Sequence, residues 1–347
     1  MQHLPDCEPQ GNVFGAGAGT GSHLTHAAQS SIQRKVLPPC AQRQGCVRPG
    51  FEPPVERETG PSVDLRNTML REDQTDGFGM SGQACYREGV VTRKTCMHFR
   101  FGQTVITVNI PDRTALLAAV RARLLAGQGF ALATINLDHI VKLDRDPSFR
   151  QVYGAQDMVV ADGNPVVWLS YLAGDPVSLV PGSDVVIPLI QVAADTGRKI
   201  ALVGATTGAL QRAADCLTSI VPGAQIAMCE APPMGFDPEG DLAVRILTEI
   251  AAQGIGLCLI ALGAPKQERF AAMGRRIAPG TGFASIGAGL DFLAGTQRRA
   301  PVWVRKLALE WLWRALSDPK RLFPRYAACI AVLPARVTEA LRQRQSG

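Results

Sequence analysis

From about residue 101 onward, short apolar runs alternate with longer stretches whose apolar positions recur every three to four residues. Runs of the first kind, at 104–109, 130–135, 157–161, 199–203, 224–229, 257–262 and 283–286, read as strands. Stretches of the second kind, at 114–126, 165–172, 208–220 and 242–253, read as helices. Strand and helix alternate throughout, so the pattern predicts an α/β, Rossmann-like, mostly parallel sheet with helices on both faces. In such sheets ligands bind beyond the carboxyl ends of the strands, which directs attention to the residues just after each strand. Residues 1–98 lack this periodicity and are rich in Gly, Gln, Pro, Ser and Thr, as expected of a loosely ordered extension. Three segments follow from the pattern: the extension 1–98, a Rossmann-like domain 99–297 and a C-terminal appendage 298–347.

Composition narrows the class. The chain has 347 residues, 46% of them hydrophobic, which is enough for a sizeable core. None of the nine Cys forms a Cys-x-x-Cys, so a structural zinc site is not expected. Cys216, Cys229 and Cys258 stand in apolar contexts and read as buried thiols, which suits a reducing cytoplasm. No apolar run reaches the roughly 18–20 residues that span a bilayer, and no secretory leader is visible at the N-terminus. The net charge of +6 is concentrated at one end: from Arg298 onward there are eleven Lys/Arg against three Asp/Glu. A basic tail of this kind expects an anionic partner: lipid, nucleic acid or phosphate.

The candidate chemistry lies after the strands. Thr134 and Asn136 end the run 130–135, where they can hydrogen-bond a sugar or diphosphate, or where Asn136 or Asp138 can simply cap the next helix. Asp162 ends the run 157–161, followed by Gly163 and a helix start. A carboxylate there is either a cap or a general base, the one group a hydroxyl needs to lose its proton during a transfer. Gly204, Thr206 and Thr207 form a small-residue turn whose helix-start amides suit phosphate oxygens. Gly263, Lys266 and Gln267 follow another buried strand. Gly15-Ala16-Gly17-Ala18-Gly19 resembles a dinucleotide loop only in composition, having no strand before it and no clear helix after it. In the tail, Val304, Leu307, Ala308, Trp311, Leu312 and Ala315 form an apolar stripe on a helix expected at 301–316. Trp303, Trp313, Arg305 and Lys306 flank the stripe, as in helices that lie in a membrane interface. The ordinary alternative is a C-terminal helix packed on the core.

Together these segments resemble the WecG/TagA/CpsF family of bacterial glycosyltransferases over about residues 101–330. The motifs that carry the resemblance are Thr134-Ile135-Asn136, Ala161-Asp162-Gly163, Gly182-Ser183-Asp184, Gly263 through Glu268, Gly287 through Phe292 with Arg299-Ala300-Pro301, Leu309-Glu310-Trp311 with Arg314, and Pro319-Lys320-Arg321 with Arg325-Tyr326. The resemblance implies a UDP-sugar donor, a polyprenyl-diphosphate-linked acceptor, inversion at the anomeric carbon and no metal or other cofactor. It implies Asp162 as the base with Thr134 and Asn136 beside it, and Gln267 in the site. Arg314, Arg321 and Arg325 are implied as tail arginines that reach a diphosphate. One departure stands out: Leu179 occupies a position where the family usually has Arg. The expected setting is the inner face of the cytoplasmic membrane, in exopolysaccharide or cell-envelope glycan synthesis. No nucleic-acid partner is expected; a homo-oligomer is compatible with the sequence. Two rivals remain at this point, a Rossmann-type NAD-dependent oxidoreductase and a non-catalytic nucleotide- or lipid-binding scaffold. The oxidoreductase would need a Gly-x-Gly-x-x-Gly after the first ordered strand, and 105–112 offers none.

Overall fold

Continuous apolar runs are what strands buried on both faces require, and they build the centre of this fold. The computed structural model describes residues 85–87, 90–92, 96–295 and 319–346, all within one compact unit. Six strands form a wholly parallel sheet: β5 (Phe130–Ile135), β6 (Met158–Ala161), β7 (Lys199–Gly204), β8 (Gln225–Glu230), β9 (Ile255–Ala261) and β10 (Gly282–Ser285). Their spatial order is β6-β5-β10-β9-β7-β8. Strands β5, β6 and β10 are buried at every position, whereas the edge strand β8 alternates exposed and half-buried residues. Cys229 lies on β8 and is therefore exposed, contrary to the reading of it as a buried thiol; Cys216 and Cys258 are buried. Cys96, not among the three cysteines read as thiols, is disulfide-bonded.

Helices cover both faces. On one face pack α1 (Arg113–Ala126), α5 (Gly182–Asp195), α6 (Thr207–Ile220) and the short α9 (Gly289–Leu293). The other face carries α2 (Leu137–Arg145), α3 (Pro147–Gly154), α7 (Asp241–Ala252) and α8 (Lys266–Ile277). Helix α4 (Asn164–Ala173) joins the second face beside α2 and α3. Adjacent strands β5 and β10 send their chains to opposite faces, β5 into α2 and β10 into α9. The crevice between their carboxyl ends is thus a topological switch point, the usual ligand position in open α/β sheets.

The first expected strand does not join this sheet. Residues Thr104–Thr107 (β4) pair antiparallel with His98–Phe101 (β3), and Met97 and Phe99 are buried, so order begins before residue 101. The segment after β4 finishes the free edge of β6: Ile110 N donates to Val159 O, and the Asn109 side chain bonds Val159 N and Asp157 O. A second antiparallel pair joins β1 (Cys85–Arg87) to β2 (Val90–Thr92). The rest of the extension, with the glycine-rich 15–19, lies outside the described residues.

The C-terminal segment contributes one long helix, α10 (Pro319–Ser346), which packs on α2 and α4. Its second half is pinned through the buried Arg336, which pairs with Asp144 and Glu339, donates to Arg100 O and stacks over the Phe101 ring. Val332, Leu333, Val337 and Ala340 pack into the cluster under α2 and α4. The helix expected at 301–316, with Trp303, Arg305, Lys306, Trp313 and Arg314, lies outside the described residues.

Candidate active site

Two aspartates bracket β6 and do opposite work. Asp157, at the amino end of the sheet, receives Arg123 and Arg275 and accepts from Ala131 N; it is a structural hub. Asp162, at the carboxyl end, is half-buried, and its backbone N–H donates to Ile135 O, which fixes it beside the end of β5. Asn136 Nδ2 donates to Asp162 Oδ2 at 3.3 Å.

Asn136 is held by local helix chemistry. It is the N-cap of α2, and its Oδ1 accepts from the backbone N–H groups of Asp138 (3.1 Å) and His139 (3.2 Å). Those two bonds commit the carbonyl oxygen to the helix and turn the NH2 group toward Asp162. The cap reading therefore holds for Asn136, and the same residue contacts Asp162. Thr134 lies on β5, buried, with Oγ1 donating to Ser285 O at 3.5 Å, and so ties β5 to β10. Gln267 reaches the same crevice from α8: its Oε1 accepts from Gly287 N at 3.2 Å and its Nε2 donates to Glu268 Oε1 at 2.8 Å. Thr134, Asn136, Asp162 and Gln267 are thus brought together around the switch point.

Other expected residues have structural employment. Gly204 has a φ of +115°, and a Cβ there would meet Ala261 O at 2.4 Å, so glycine is required where β7 passes β9. Thr206 caps α6, accepting from Ala209 N; Thr207 is exposed at the start of that helix. Lys266 Nζ donates to Phe236 O at 2.8 Å, and Gly263 opens onto free space. Gly182, at the start of α5, abuts the end of β10: a Cβ would lie 2.9 Å from Ile286 O. Leu179 is exposed, one residue before Val180, whose N–H bonds Ala161 O, so it stands at the mouth beside Asp162.

Residues absent from the candidate set form the floor and rim. His139 Nε2 lies 3.2 Å from Glu268 Oε1, and both side chains are buried. Tyr153 is wholly buried with its ring 5.8 Å from His139, and its hydroxyl has no partner among the described residues. Burial, with the nearby Glu268 and Asp162 carboxylates, pushes its phenol well above the ordinary value, so it stays protonated. On the rim, Asp138 pairs with Lys142 (2.7 Å) and with Arg325 of α10 (2.9 Å). Burial alone would raise the Asp138 carboxyl, but the Lys142 hydrogen bond and the Arg325 and Lys142 charges outweigh it and hold it below the ordinary range. Arg325 is thereby held against Asp138 in the first turn of α2, two residues after Asn136. The side chain of Arg321 lies outside the described residues. The chain does contain one Asp-x-Asp, Asp144-Arg145-Asp146, but these carboxylates are committed elsewhere. Asp144 pairs with Arg336, while Asp146 caps α3 and pairs with Arg269. Among the described residues no cluster of His, Cys, Asp and Glu could hold a metal ion.

A half-buried carboxylate held by an amide at the switch point of a doubly wound sheet is a candidate active site, and the architecture is that of an α/β enzyme. Residues 103–347 match the glycosyl transferase WecG/TagA/CpsF family, and the chain belongs to that family. It is a glycosyltransferase. Among curated relatives, an N-acetylglucosaminyldiphosphoundecaprenol N-acetyl-β-D-mannosaminyltransferase of Bacillus subtilis is 28% identical over 210 residues, covering 58% of this chain and 79% of the relative. Proteins of the same name from Bacillus spizizenii (26% over 195 residues, 56% and 74%) and Staphylococcus aureus (26% over 192 residues, 55% and 73%) are similar.

Proposed function

We propose that this chain transfers N-acetylmannosamine from a UDP-activated donor to the N-acetylglucosamine of a polyprenyl diphosphate, with Asp162 as general base. The observation that carries the reading is the Asn136–Asp162 contact at the switch point, in a chain whose relatives are named for this transfer. In the step, Asp162 takes the proton of the attacking acceptor hydroxyl. That oxygen bonds the anomeric carbon from the face opposite UDP. The bond from that carbon to the diphosphate oxygen breaks, UDP leaves with the electron pair, and the configuration inverts. Charge developing on the departing diphosphate calls for preorganised donors. Arg325 and Lys142, both held on Asp138 in the first turn of α2, are the groups we assign to that role.

The acceptor's lipid requires a membrane surface. Among the described residues no helix is long and apolar enough to cross a membrane. Helix α4, which starts two residues after Asp162, contains no charged residue and exposes Trp168 (55%) and Tyr171 (63%). Helix α10 exposes Phe323 and Ile330, with Lys320 and Arg325 nearby and no acidic residue before Glu339. Aromatic and apolar side chains beside Lys and Arg suit the interface of an anionic bilayer, which supports a peripheral association that brings the lipid-linked acceptor to Asp162. The test is UDP release and product formation with several UDP-sugars and a polyprenyl-diphosphate-linked N-acetylglucosamine in detergent. N-acetylmannosamine should be the sugar transferred; transfer only of another sugar refutes the donor assignment.

A further inference from the structure

The buried His139–Glu268 pair has no part in the transfer step, yet it sits directly behind the residue that orients the base. His139 touches Asn136 with one ring nitrogen and Glu268 with the other. Which nitrogen carries hydrogen follows from the acceptors around it. Asn136 Oδ1 already accepts two backbone N–H bonds, so it cannot exchange places with Nδ2. His139 Nδ1 lies 2.8 Å from that oxygen. Two lone pairs facing each other at this distance repel, so a hydrogen must lie between them, on Nδ1. The Asn136 backbone N–H also points at Nδ1, but at 3.4 Å; it is the longer contact and yields. At the other end, Nε2 and Glu268 Oε1 are 3.2 Å apart and also need one hydrogen between them. Gln267 Nε2 donates to that same oxygen, while Oε2 is fully buried without a partner among the described residues.

We propose that His139 and Glu268 are positioning residues for Asp162: together they hold one shared proton, force a hydrogen onto His139 Nδ1, and through it lock the Asn136 amide that donates to the base. Whether the shared proton sits on Nε2 or on Oε1, the pair carries no net charge. A chain of donors then runs in one direction, from the Glu268 pair through Nδ1–H to Asn136 Oδ1 and from Asn136 Nδ2–H to Asp162. The pair aims the base without placing a second bare anion beneath it. Gln267 anchors the other side of Glu268 and holds Gly287 at the end of β10, so the same frame spans both strands of the switch point. The role of Asp162 as base is taken from the proposed function; the hydrogen positions are not.

The tautomer can be read directly. In the full chain with 15N-labelled histidine, the His139 ring signals, assigned by their loss in His139→Gln, should show a protonated Nδ1 in the absence of any substrate. A bare Nδ1 with the only hydrogen on Nε2 overturns the proposal. The kinetic arm compares Glu268→Gln with Glu268→Leu. The Gln carboxamide can still donate to Nε2 and keep hydrogen on Nδ1, giving up the bond from Gln267; Leu cannot. Glu268→Leu should lower kcat about a hundredfold with little change in donor KM, the cost of a misaligned base. Glu268→Gln should recover at least about tenfold of that loss, about one hydrogen bond's worth. Equal impairment of both variants, or loss confined to KM, overturns it. If Glu268→Leu does not fold, the ring spectrum and the Gln variant still decide. If Asp162 is not the base, Asp162→Asn keeps its transfer rate whatever the ring spectrum and the Glu268 variants show, which separates the two claims.

Discussion

Replacing Asn136 by Asp places a second carboxylate against Asp162 while leaving helix α2 capped. Asp is as good an N-cap as Asn, so one carboxylate oxygen can still accept from the Asp138 and His139 N–H groups. The other oxygen replaces Nδ2, which stands 3.3 Å from Asp162 Oδ2. Two unit charges at that separation repel by about 1 kcal/mol at the dielectric constant of water and about 5 kcal/mol at an effective value of 20. At 1.36 kcal/mol per pH unit, that is roughly one to four units of added proton affinity at Asp162. A base must be ionised to act, so the acid limb of the pH dependence of kcat/KM should move upward by that amount, with activity at low pH lost first. The assay is transfer measured across pH beside a thermal melt of the same variant. At neutral pH the melt should fall with that repulsion and recover as Asp162 takes a proton at lower pH, since the cap itself is kept. An acid limb that stays in place in an active, folded Asn136→Asp enzyme refutes the pairing of Asn136 with the catalytic base.

Three other outcomes follow from the same structure. Asp138 has its carboxyl lowered by Lys142 and Arg325, so its contribution to holding α10 on α2 is complete above the ordinary value of 3.8 and is lost as pH falls through the lowered one. Limited proteolysis should therefore release the α10 segment in acid from the native chain, and an Asp138→Asn variant should lose this pH dependence. Gly204→Ala forces a Cβ to 2.4 Å from Ala261 O at a φ of +115° and should cost about 1–3 kcal/mol in denaturant unfolding. Changing Trp168 and Tyr171 together to Ser should weaken binding to anionic lipid vesicles about tenfold or more, with transfer to a soluble acceptor analogue less affected.

The strands of the parallel sheet were legible because burial on both faces leaves uninterrupted apolar runs, as in Phe130–Ile135 and Ile255–Ala261. Helices that begin or continue through breaker residues were not. Helix α5 starts at Gly182 and carries Pro188, and α10 runs through Pro324 and Pro334; each reads locally as an interruption and is sustained by packing. Helix α8 hid for another reason, since its Lys, Arg and Glu positions dilute the apolar stripe of Phe270, Ala271 and Gly274. Strand β4 shows the converse: its apolar alternation was read correctly as a strand, but pairing partner is a tertiary choice, and it took β3. In the candidate site, Thr134, Asn136, Asp162 and Gln267 could be found because each lies at the carboxyl end of a strand, just after one, or in the helix that follows. His139 and Glu268 could not be paired from the sequence, because 129 residues separate them and only the approach of α8 to α2 brings them together. The spacing Asn136 to His139 at a helix start was the one available signal, since an N-cap and the residue three positions on stand side by side.

The assignment of Asp162 as the base is tested most directly by Asp162→Asn, with transfer and donor binding measured on the same preparation. With UDP-N-acetylmannosamine and the lipid-linked acceptor, kcat should fall by about two to four orders of magnitude, the usual worth of a general base, while the donor dissociation constant stays within a factor of about three. Transfer at the wild-type rate in this variant would contradict it.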